Sequence, residues 1–329
     1  MADSDPLLRR FGGALDAEQL LRAGDRVGIA VSGGADSVAL LRLLSAVGGK
    51  RGLQLSVIHF DHGWRSGSGA EARFVAALAR QQGLEIHLER ASAVPQRDRE
   101  QQARHQRYAF FQRLRAQGAV EVVATAHTAD DQAETVLLRL LRGTGPGGLA
   151  AILPRRADGI VRPLLGFRRA GLRAWLQAQE QTWMEDASNL DLSHPRNRLR
   201  LQFIPELERS FNPALVQHLA ELAELARAEE EFWTGYVGAL WGALWVAEPG
   251  GGSIERGSLL GLPLAVQRRM VREGIRRIQH SLRGVDALAI EEILQWMADP
   301  DRHPRRRRLG RCLARTSARK LTLSLADTL

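Results

Sequence analysis

The chain of 329 residues contains one cysteine, Cys312, and only two lysines, Lys50 and Lys320, among its 46 lysine and arginine side chains. A single cysteine excludes a disulfide within the chain and any iron–sulfur or zinc cluster held by several cysteines, and it favours the cytoplasm as the compartment. No apolar run reaches about 18 residues, so we expect neither a transmembrane helix nor a membrane partner. The acidic start, residues 1–5, is unlike a secretory leader, which begins with positive charge and continues with an apolar stretch.

Acidic residues are fewer than basic ones, so the formal net charge is +9 and the sequence pI is about 10.9. Such an excess attracts polyanions, of which nucleic acid is the first candidate. The alternative is an arginine-rich composition without a specific partner. The densest basic stretch, residues 305–308, is either a solvated loop or an RNA contact. Because the guanidinium fork suits phosphate, we favour a nucleic-acid partner.

Short apolar runs alternate with longer helical patterns over the first two-thirds of the chain. The runs that we predict to be strands are residues 26–31, 54–59, 85–88 and 120–125. The intervening segments that we predict to be helices are residues 37–47, 70–82 and 100–117. This alternation is typical of a doubly wound α/β domain with helices on both faces of a parallel sheet. Ligands of such sheets bind at the carboxyl ends of the strands, here just after Val31, His59 and Thr125.

The last third of the chain predicts a smaller, mostly helical domain. We place the domain boundary at Asn212, so that the two domains are residues 1–211 and 212–329. Helical patterns cover residues 215–246, 265–280 and 286–297. A Pro-Gly-Gly-Gly-Ser stretch from residue 249 ends the first of them. Short strand-like pieces lie at 307–309 and 321–325.

A glycine-containing loop follows the first predicted strand and precedes a helix. Its residues are Ser32, Gly33, Gly34, Ala35, Asp36 and Ser37. A strand, a glycine turn and a helix N-terminus together bind phosphate through backbone N–H groups. An acid beside phosphates is tolerated when a metal bridges them, so Asp36 is a candidate ligand of Mg²⁺. The alternative is an ordinary turn in which Asp36 or Ser37 caps the helix.

An acidic helix start follows the fourth predicted strand. Its polar residues His127, Asp130, Asp131 and Glu134 have the spacings 0, 3, 4 and 7, which place them on one helix face. Three carboxylates and a histidine could bind a metal or receive an ammonium group. The alternative is that Thr128 caps the helix while Asp130 and Asp131 complement its dipole, but this leaves His127 and Glu134 unexplained.

Two further sequence patterns are weaker indications of function. Residues 143–148 match Gly-x-Gly-x-x-Gly literally, but they follow a helix and contain Pro146, so we reject dinucleotide binding and predict a loop over the site. His59 and His62 are spaced like a metal pair, but zinc needs more ligands than the neighbouring sequence supplies. We therefore assign His59 to a nucleotide pocket.

The loop at 32–37 resembles the Ser-Gly-Gly-x-Asp-Ser signature of the PP-loop ATP pyrophosphatases, which cleave ATP to AMP and pyrophosphate. The resemblance implies an adenine nucleotide alpha hydrolase-like fold. Further motifs between about residues 25 and 205 resemble the tRNA(Ile)-lysidine synthetases in content and order. These are His-Phe-Asp-His-Gly-Trp-Arg at 59–65, Glu-x-x-Ala-Arg-x-x-Arg-Tyr at 100–108, Ala-His-x-x-Asp-Asp-x-x-Glu-Thr at 126–135, Arg-Pro-Leu-Leu at 162–165, Glu-Asp-x-Ser-Asn at 185–189 and Arg-Asn-x-x-Arg at 196–200.

The family resemblance implies a ligase that uses ATP, with Mg²⁺, to adenylate the wobble cytidine of tRNA(Ile) with a CAU anticodon, and then joins L-lysine to C2. The base that takes the proton from the lysine amine is Asp131 or Glu134, with Asp36 as a third candidate. The remaining acid would hold an ammonium group of lysine. The other implied contacts to lysine or nucleotide are Arg104, Arg107, His127 and Asp130, and those to the lysine carboxylate or tRNA phosphate are Arg196 and Arg200.

Two other classes of function stay open. One is another PP-loop enzyme, such as an amidotransferase-type synthetase or a tRNA thiolase, although the chain lacks a cysteine pair and a glutaminase region. The other is an RNA-binding protein without ATP turnover. The C-terminal domain is expected to bind tRNA, and the oligomeric state is open between a monomer and a homodimer.

Overall fold

The computed structural model describes residues 5–63, 68–91, 99–185, 190–282, 284–299, 301 and 303–326. The motif residues Trp64, Arg65, Asp186, Ser188 and Asn189 lie outside these ranges. The chain divides into two compact units, residues 1–227 and 228–329. Among the helices of the described ranges, none has both the length and the apolar character needed to cross a membrane.

The first unit is built on a five-stranded parallel sheet with the order β3-β2-β1-β4-β5. Its strands are β1 (Arg26–Ala30), β2 (Gln54–Asp61), β3 (Glu85–Arg90), β4 (Val122–Ala124) and β5 (Ile160–Val161). The four predicted strands are therefore present with shifted ends, which confirms the α/β class. The fifth strand was not predicted, because two residues are too few to show a period in sequence.

Eight α-helices belong to the first unit in the described ranges. They are α1 (Pro6–Ala17), α2 (Ala35–Gly48), α3 (Ser68–Gln81), α4 (Arg99–Ala116), α5 (Ala129–Leu141), α6 (Arg169–Ala178), α7 (Pro195–Arg198) and α8 (Ile204–Ser210). A π-helical turn, Leu199–Phe203, joins the last two. The helices predicted at 37–47, 70–82 and 100–117 match α2, α3 and α4 to within two residues at each end.

Apolar side chains cover both faces of this sheet. Leu40, Leu41, Leu43 and Leu44 of α2 are all fully buried, in a cluster that includes residues of α1, α3 and α6. These neighbours therefore enclose the apolar side of α2. On the other face, Phe110, Phe111 and Leu114 of α4 pack in a second cluster with residues of β2. The domain therefore has three layers.

The strand order sets the position of the site. β1 lies between β2 and β4, so the chain leaves β1 toward one edge of the sheet and later crosses to the other edge. The crevice at such a switch point, outside the carboxyl ends of the strands, is where open α/β sheets bind ligands. Ile29 of β1 is paired with Ala124 of β4, so the segments that follow these two strands begin side by side.

The division of the chain falls inside helix α9 (Leu215–Leu244), whereas the sequence favoured a boundary at Asn212. The first turns of α9 belong to the first unit because their apolar side chains pack on α5. Val216 is buried in a cluster with Ala129 and Ala133, and Ala223 is buried in another with Val136. A proline after an asparagine marks a helix start but does not show what the helix packs against.

The second unit combines helices with an antiparallel sheet of order β6-β7-β10-β9-β8. Its elements after α9 are β6 (Trp245–Glu248), β7 (Gly251–Glu255), α10 (Arg256–Leu260), α11 (Leu264–Gln279), α12 (Ala287–Ala298), β8 (Arg305–Leu309), β9 (Cys312–Thr316) and β10 (Lys320–Leu325). The two predicted helices are α11 and α12, and the predicted strand pieces lie in β8 and β10. The basic stretch at 305–308 is in the edge strand β8 and not in a loop.

The glycine-rich stretch after α9, for which the sequence predicts only a helix end, forms the hairpin between β6 and β7. Glycine is depleted in strands, so the pattern concealed β7. A side chain is excluded at Gly251, because an added Cβ would lie 2.1 Å from the carbonyl oxygen of Leu323 in β10. The close approach of β7 and β10 therefore requires glycine at this position.

Replacing Gly251 with alanine is expected to destabilise the protein by about 3 kcal/mol, because relief of the clash needs a backbone shift in the sheet. Gly238→Ala is the matched control, since Gly238 lies within α9 and an added Cβ there meets nothing within 4 Å. That control should gain up to about 1 kcal/mol from helix propensity. Urea denaturation measures both free energies of unfolding, and equal values for the two variants would contradict the close packing of β7.

Candidate active site

The loop after β1 has the geometry of an anion-binding turn. Gly33 has φ +94°, a conformation that glycine adopts without strain. Gly34 is the N-cap of α2 and supplies no side-chain cap, so neither Asp36 nor Ser37 caps this helix. The first N–H groups of an uncapped helix have no intrahelical partner and carry the positive end of its dipole. The loop therefore offers its amides to an anion.

The two serines of the loop hold its shape. The Ser37 hydroxyl donates to the carbonyl of Gly34 at 2.8 Å and accepts from the backbone N–H of Ser32 at 3.1 Å. The Ser32 hydroxyl donates to Ser37 Oγ at 3.2 Å. The loop is also tied to a distant segment, because the N–H of Met184 donates to the carbonyl of Gly33 at 2.9 Å. These bonds order the loop before any ligand binds.

His59, near the end of β2, is 2% exposed and lies beside the loop. Its Nδ1 is 2.8 Å from the carbonyl oxygen of Val31, which can only accept, so Nδ1 carries the proton. Its Nε2 is buried and has no hydrogen-bond partner. A buried acceptor of this kind needs an explanation, and a ligand donor is one. Among the described residues, no group of three or more His, Cys, Asp and Glu side chains is arranged to hold a metal ion.

Helix α5 begins with a capping box. Thr128 is the N-cap, and Asp131 Oδ2 accepts from both the N–H and the hydroxyl of Thr128 at 2.9 Å. The predicted cap by Thr128 is therefore present, and it uses one carboxylate oxygen of Asp131. Asp130 turns toward α6, where its Oδ2 accepts from the N–H of Arg169 at 2.7 Å. Asp131 and Glu134 are the two acids of this face whose side chains contact the same arginines.

Three guanidiniums surround those two acids. Glu134, which is 1% exposed, accepts from Nε of Arg196 and from Nε of Arg200, each at 2.6 Å. Asp131 Oδ1 lies 3.2 Å from Arg196 Nη2 and 3.3 Å from Arg200 Nη2. Arg196 lies in α7 and Arg200 lies in the π-helical turn that follows it. Both predicted arginines therefore contact the predicted acids. We call these four residues and Arg169 the arginine–carboxylate cluster.

Arg169 contacts both predicted carboxylate positions of the site, although the sequence did not predict it as a site residue. It is the first residue of α6, and its Nε donates to Asp36 Oδ2 at 2.9 Å while its Nη2 lies 3.2 Å from Asp131 Oδ1. A single side chain therefore joins the phosphate loop to the acidic helix. The sequence held one signal, since a basic residue at a helix N-terminus opposes the helix dipole and indicates an anionic partner.

The pKa values of two candidate bases, Asp36 and Asp131, are shifted in opposite directions. Burial raises the pKa of Asp36 above its usual range, although Arg169 opposes this effect. Burial would also raise the pKa of Asp131, but Arg169 and Arg196 outweigh it and lower that pKa to about 2. Burial alone would lower the pKa of Arg169, and Asp131 and Asp36 together raise it instead. Asp131 is therefore a weak base, and Asp36 accepts a proton more readily than an ordinary aspartate does.

His127 is held neutral at the end of β4. Burial, together with the nearby guanidiniums of Arg162, Arg196 and Arg104, lowers its pKa to about 3, while Asp131 opposes them. Its Nδ1 is 3.0 Å from the Thr125 hydroxyl. A neutral imidazole in this position can donate to or accept from a ligand without adding charge.

The structure places the other predicted contacts around Tyr108. The Arg104 guanidinium lies 4.9 Å from the Tyr108 ring centroid, and that of Arg107 lies 5.9 Å from it. Burial lowers the pKa of Arg107. Arg162 is 4% exposed, and it is a nearby positive charge that sequence reasoning did not assign to the site. The guanidiniums of Arg104 and Arg107 thus lie near one ring, and Arg104 and Arg162 are among the charges that act on His127.

Replacing His127 with asparagine is expected to flatten the dependence of stability on pH below about 6.5. The folded imidazole has a pKa of about 3, whereas the unfolded one titrates near 6.5. Between these values the unfolded chain binds the extra proton, so falling pH favours unfolding by up to about 1.4 kcal/mol per pH unit. Urea denaturation between about pH 7 and 4.5, above the range in which Asp131 titrates, measures the slope. Equal slopes for the two proteins would contradict a neutral buried His127.

A glycine loop and an uncapped helix start, at the switch point of a parallel sheet, define a phosphate-binding α/β domain. The PP-loop domain family matches residues 10–207. The chain belongs to the tRNA(Ile)-lysidine synthase family. It is 44% identical over 282 residues to the tRNA(Ile)-lysidine synthase of Solibacter usitatus, covering 85% of this chain and 63% of that relative. It is 42% identical over 270 residues to that of Gloeobacter violaceus, covering 81% of this chain and 80% of the relative.

A solved structure supports the fold. The U34-tRNA thiolase NcsA from Methanococcus maripaludis, with its [4Fe-4S] cluster, superposes with a TM-score of 0.54 at 16% identity. The match covers 66% of this chain and 78% of the thiolase. At this identity the likeness concerns the arrangement of strands and helices alone.

Proposed function

We propose that this protein uses ATP to join L-lysine to C2 of the wobble cytidine in tRNA(Ile) with a CAU anticodon, forming lysidine and releasing pyrophosphate and AMP. One observation carries the proposal: a single guanidinium, that of Arg169, touches both the phosphate loop and the acidic helix. The groups suited to phosphate and those suited to an amine therefore line one crevice. A reaction in which ATP activates an acceptor for amine attack needs this arrangement.

The first step uses the loop. The oxygen on C2 of cytidine attacks the α-phosphorus of ATP, a P–O bond forms, and pyrophosphate leaves. The loop amides and the N-terminus of α2 would stabilise the charge that develops on the phosphates. His59 Nε2, a buried acceptor without a partner, suits a hydroxyl or amino group of the nucleotide. Arg104 and Arg107, which lie over the Tyr108 ring, would contact phosphate or AMP.

A magnesium ion fits one position in this crevice. Asp36 Oδ1 is buried without a hydrogen-bond partner, while its Oδ2 is held by Arg169. A carboxylate oxygen beside a phosphate loop is the usual protein contribution to Mg²⁺ in nucleotide sites, and water and phosphate supply the other ligands. The ion would neutralise phosphate charge there.

In the second step the neutral ε-amine of lysine attacks C2, a C–N bond forms, and AMP leaves with the C2 oxygen. The amine must lose a proton, so a carboxylate has to accept it. Asp131, with its pKa of about 2, is poorly suited as the acceptor and is better suited to hold an ammonium group. Glu134 and Asp36 remain the candidate bases, and Arg196 or Arg200 would hold the lysine carboxylate.

The second unit is proposed to contact tRNA. Arg306 and Arg308 are exposed on the edge strand β8, while Arg305 pairs with Asp299 at 2.6 Å. Exposed guanidiniums on an accessible strand suit phosphate contacts. A tRNA substrate and a single cysteine are consistent with the cytoplasm as the compartment.

Incorporation of radiolabelled lysine into tRNA(Ile) with a CAU anticodon, with and without ATP, tests the proposal. We expect ATP-dependent label on this tRNA and none on a variant whose wobble cytidine is replaced by uridine. Pyrophosphate release with another acceptor, but no label, would keep the PP-loop chemistry and overturn the substrate. Binding of tRNA without label or ATP turnover would support an RNA-binding protein instead.

A further inference from the structure

Arg169 lies between the phosphate loop, which serves the first step of the proposed reaction, and the acidic helix, which serves the second. Its Nε is 2.9 Å from Asp36 Oδ2, and its Nη1 is 3.5 Å from Glu134 Oε1. Its side chain is 17% exposed. The backbone N–H of Arg169 is bound by Asp130, so the side chain starts from a fixed helix end. One guanidinium is therefore shared between a loop carboxylate and the acidic helix.

The carboxylate oxygens of the acidic helix are already in contact with donors. Both oxygens of Glu134 accept from arginines, at 2.6 Å in each case. One oxygen of Asp131 accepts from Thr128 and the other faces guanidiniums. An incoming ammonium group can therefore reach these acids only if a guanidinium withdraws. A carboxylate that keeps its full set of donors has no strong position left for another cation.

The contacts indicate which guanidinium withdraws. Arg196 and Arg200 hold Glu134 through the short Nε contacts, whereas Arg169 lies 3.2 Å and 3.5 Å from the two acids. The remaining contact of Arg169 is to the phosphate loop itself, at Asp36. Of the three guanidiniums, Arg169 is thus the weakest partner of Glu134, and it is the one that also contacts the phosphate loop.

We propose that Arg169 couples the two substrates: without nucleotide it occupies the position of the lysine ammonium at Asp131 and Glu134, and bound phosphate draws it away. This inference rests on the proposed function, because it takes ATP and lysine as the ligands. A phosphate group of higher charge attracts a guanidinium more strongly than a shared carboxylate does, and it can accept two parallel bonds. Nucleotide binding then opens the lysine position, and by linkage lysine tightens nucleotide binding to the same extent.

Arg169 is a positioning residue in this scheme, and its signature is a coupling between two binding constants. Isothermal titration calorimetry would measure the Kd of L-lysine for the full chain, with and without Mg²⁺ and α,β-methylene-ATP. For the wild type we expect lysine to bind about tenfold more tightly with the analogue, within the usual range of coupling. Arg169→Gln should bind lysine without nucleotide as tightly as the wild type does with it, so that the coupling factor falls to about one.

Two further variants complete the test. Arg169→Lys keeps the charge, but its single ammonium cannot reach Asp36 and the acidic helix together, so its coupling should also fall. Arg51→Gln is the matched control, because Arg51 pairs with Asp16 at 2.9 Å near the opposite end of α2, and its coupling should equal that of the wild type. If Arg169→Gln is poorly folded, the wild-type and Arg169→Lys titrations still decide the question.

The outcomes separate this inference from the proposed function. Lysine binding by the wild type that ignores the analogue, or coupling that persists in both Arg169 variants, would overturn the role of Arg169 alone. Absence of lysine binding to the wild type under both conditions, together with no label on tRNA, would overturn the proposed function and this inference with it.

Discussion

Replacing Glu134 with glutamine is expected to reduce lysine incorporation by roughly 10²- to 10⁴-fold, the range for loss of a general base. Glu134 is 1% exposed and accepts from Arg196 and Arg200, so the neutral amide leaves two guanidiniums with one carboxylate fewer. Breaking a buried ion pair from one side costs about 3–5 kcal/mol, and the partial exposure of both arginines places this variant near the lower value. Labelled lysine incorporation and thermal unfolding measure the two effects.

The half-reactions show which step Glu134 serves. Glu134 is one of the two candidate bases of the amine step, so pyrophosphate release with tRNA and ATP should persist in Glu134→Gln while lysine transfer fails. Glu206→Gln is the matched control, since Glu206 is an exposed partner of Arg209 on α8 and lies outside the arginine–carboxylate cluster. Its activity should equal that of the wild type. Lysine transfer at the wild-type rate by Glu134→Gln would falsify the role of this carboxylate.

Replacing Asp36 with asparagine is expected to reduce pyrophosphate release by about 10²- to 10³-fold, as loss of one electrostatic contact to a reacting phosphate does. In Asp36→Asn the adenylation step is impaired, whereas in Glu134→Gln the amine step is impaired. The effect on stability should be small, because burial already disfavours the charged form of Asp36 and raises its pKa. Pyrophosphate release measured across a magnesium titration tests this, and the variant should respond to Mg²⁺ more weakly.

A matched control for this variant lies on helix α1. Asp16→Asn removes an aspartate that pairs with Arg51 near the far end of α2, and burial of that aspartate is slight. It should release pyrophosphate at the wild-type rate. An Asp36→Asn enzyme with normal pyrophosphate release and a normal magnesium response would remove Asp36 from the phosphate site and leave its bond to Arg169 as a structural contact.

Much of the first unit could be predicted from local pattern. Four strands, three helices and the phosphate loop follow from apolar periods and from glycine next to a strand end, which are properties of neighbouring residues. The spacing of His127, Asp130, Asp131 and Glu134 predicted one polar helix face, and the motif order indicated the family. In the structure only Asp131 and Glu134 share that face, because His127 precedes the N-cap and Asp130 turns toward α6. The capping of α5 by Thr128 was likewise readable, because a cap involves residues three apart.

The second unit was predicted less completely. The helices α11 and α12 show a clear period, but β6, β7 and β9 were missed. A strand such as β7 contains two glycines because another backbone approaches it closely, and that approach is a property of the pairing with β10. The unit boundary inside α9 also depends on packing against α5, which no local pattern reports.

The sequence by itself determined the class of fold, the phosphate loop and the set of acidic and basic side chains available for chemistry. Only the tertiary structure decided which of them meet. Arg169 and Asp36 are 133 residues apart in the chain, so their ion pair exists only because α6 and the loop after β1 reach the same crevice. The same convergence gives Asp36 and Asp131 opposite pKa shifts, since burial and neighbouring charge act through space and not along the chain.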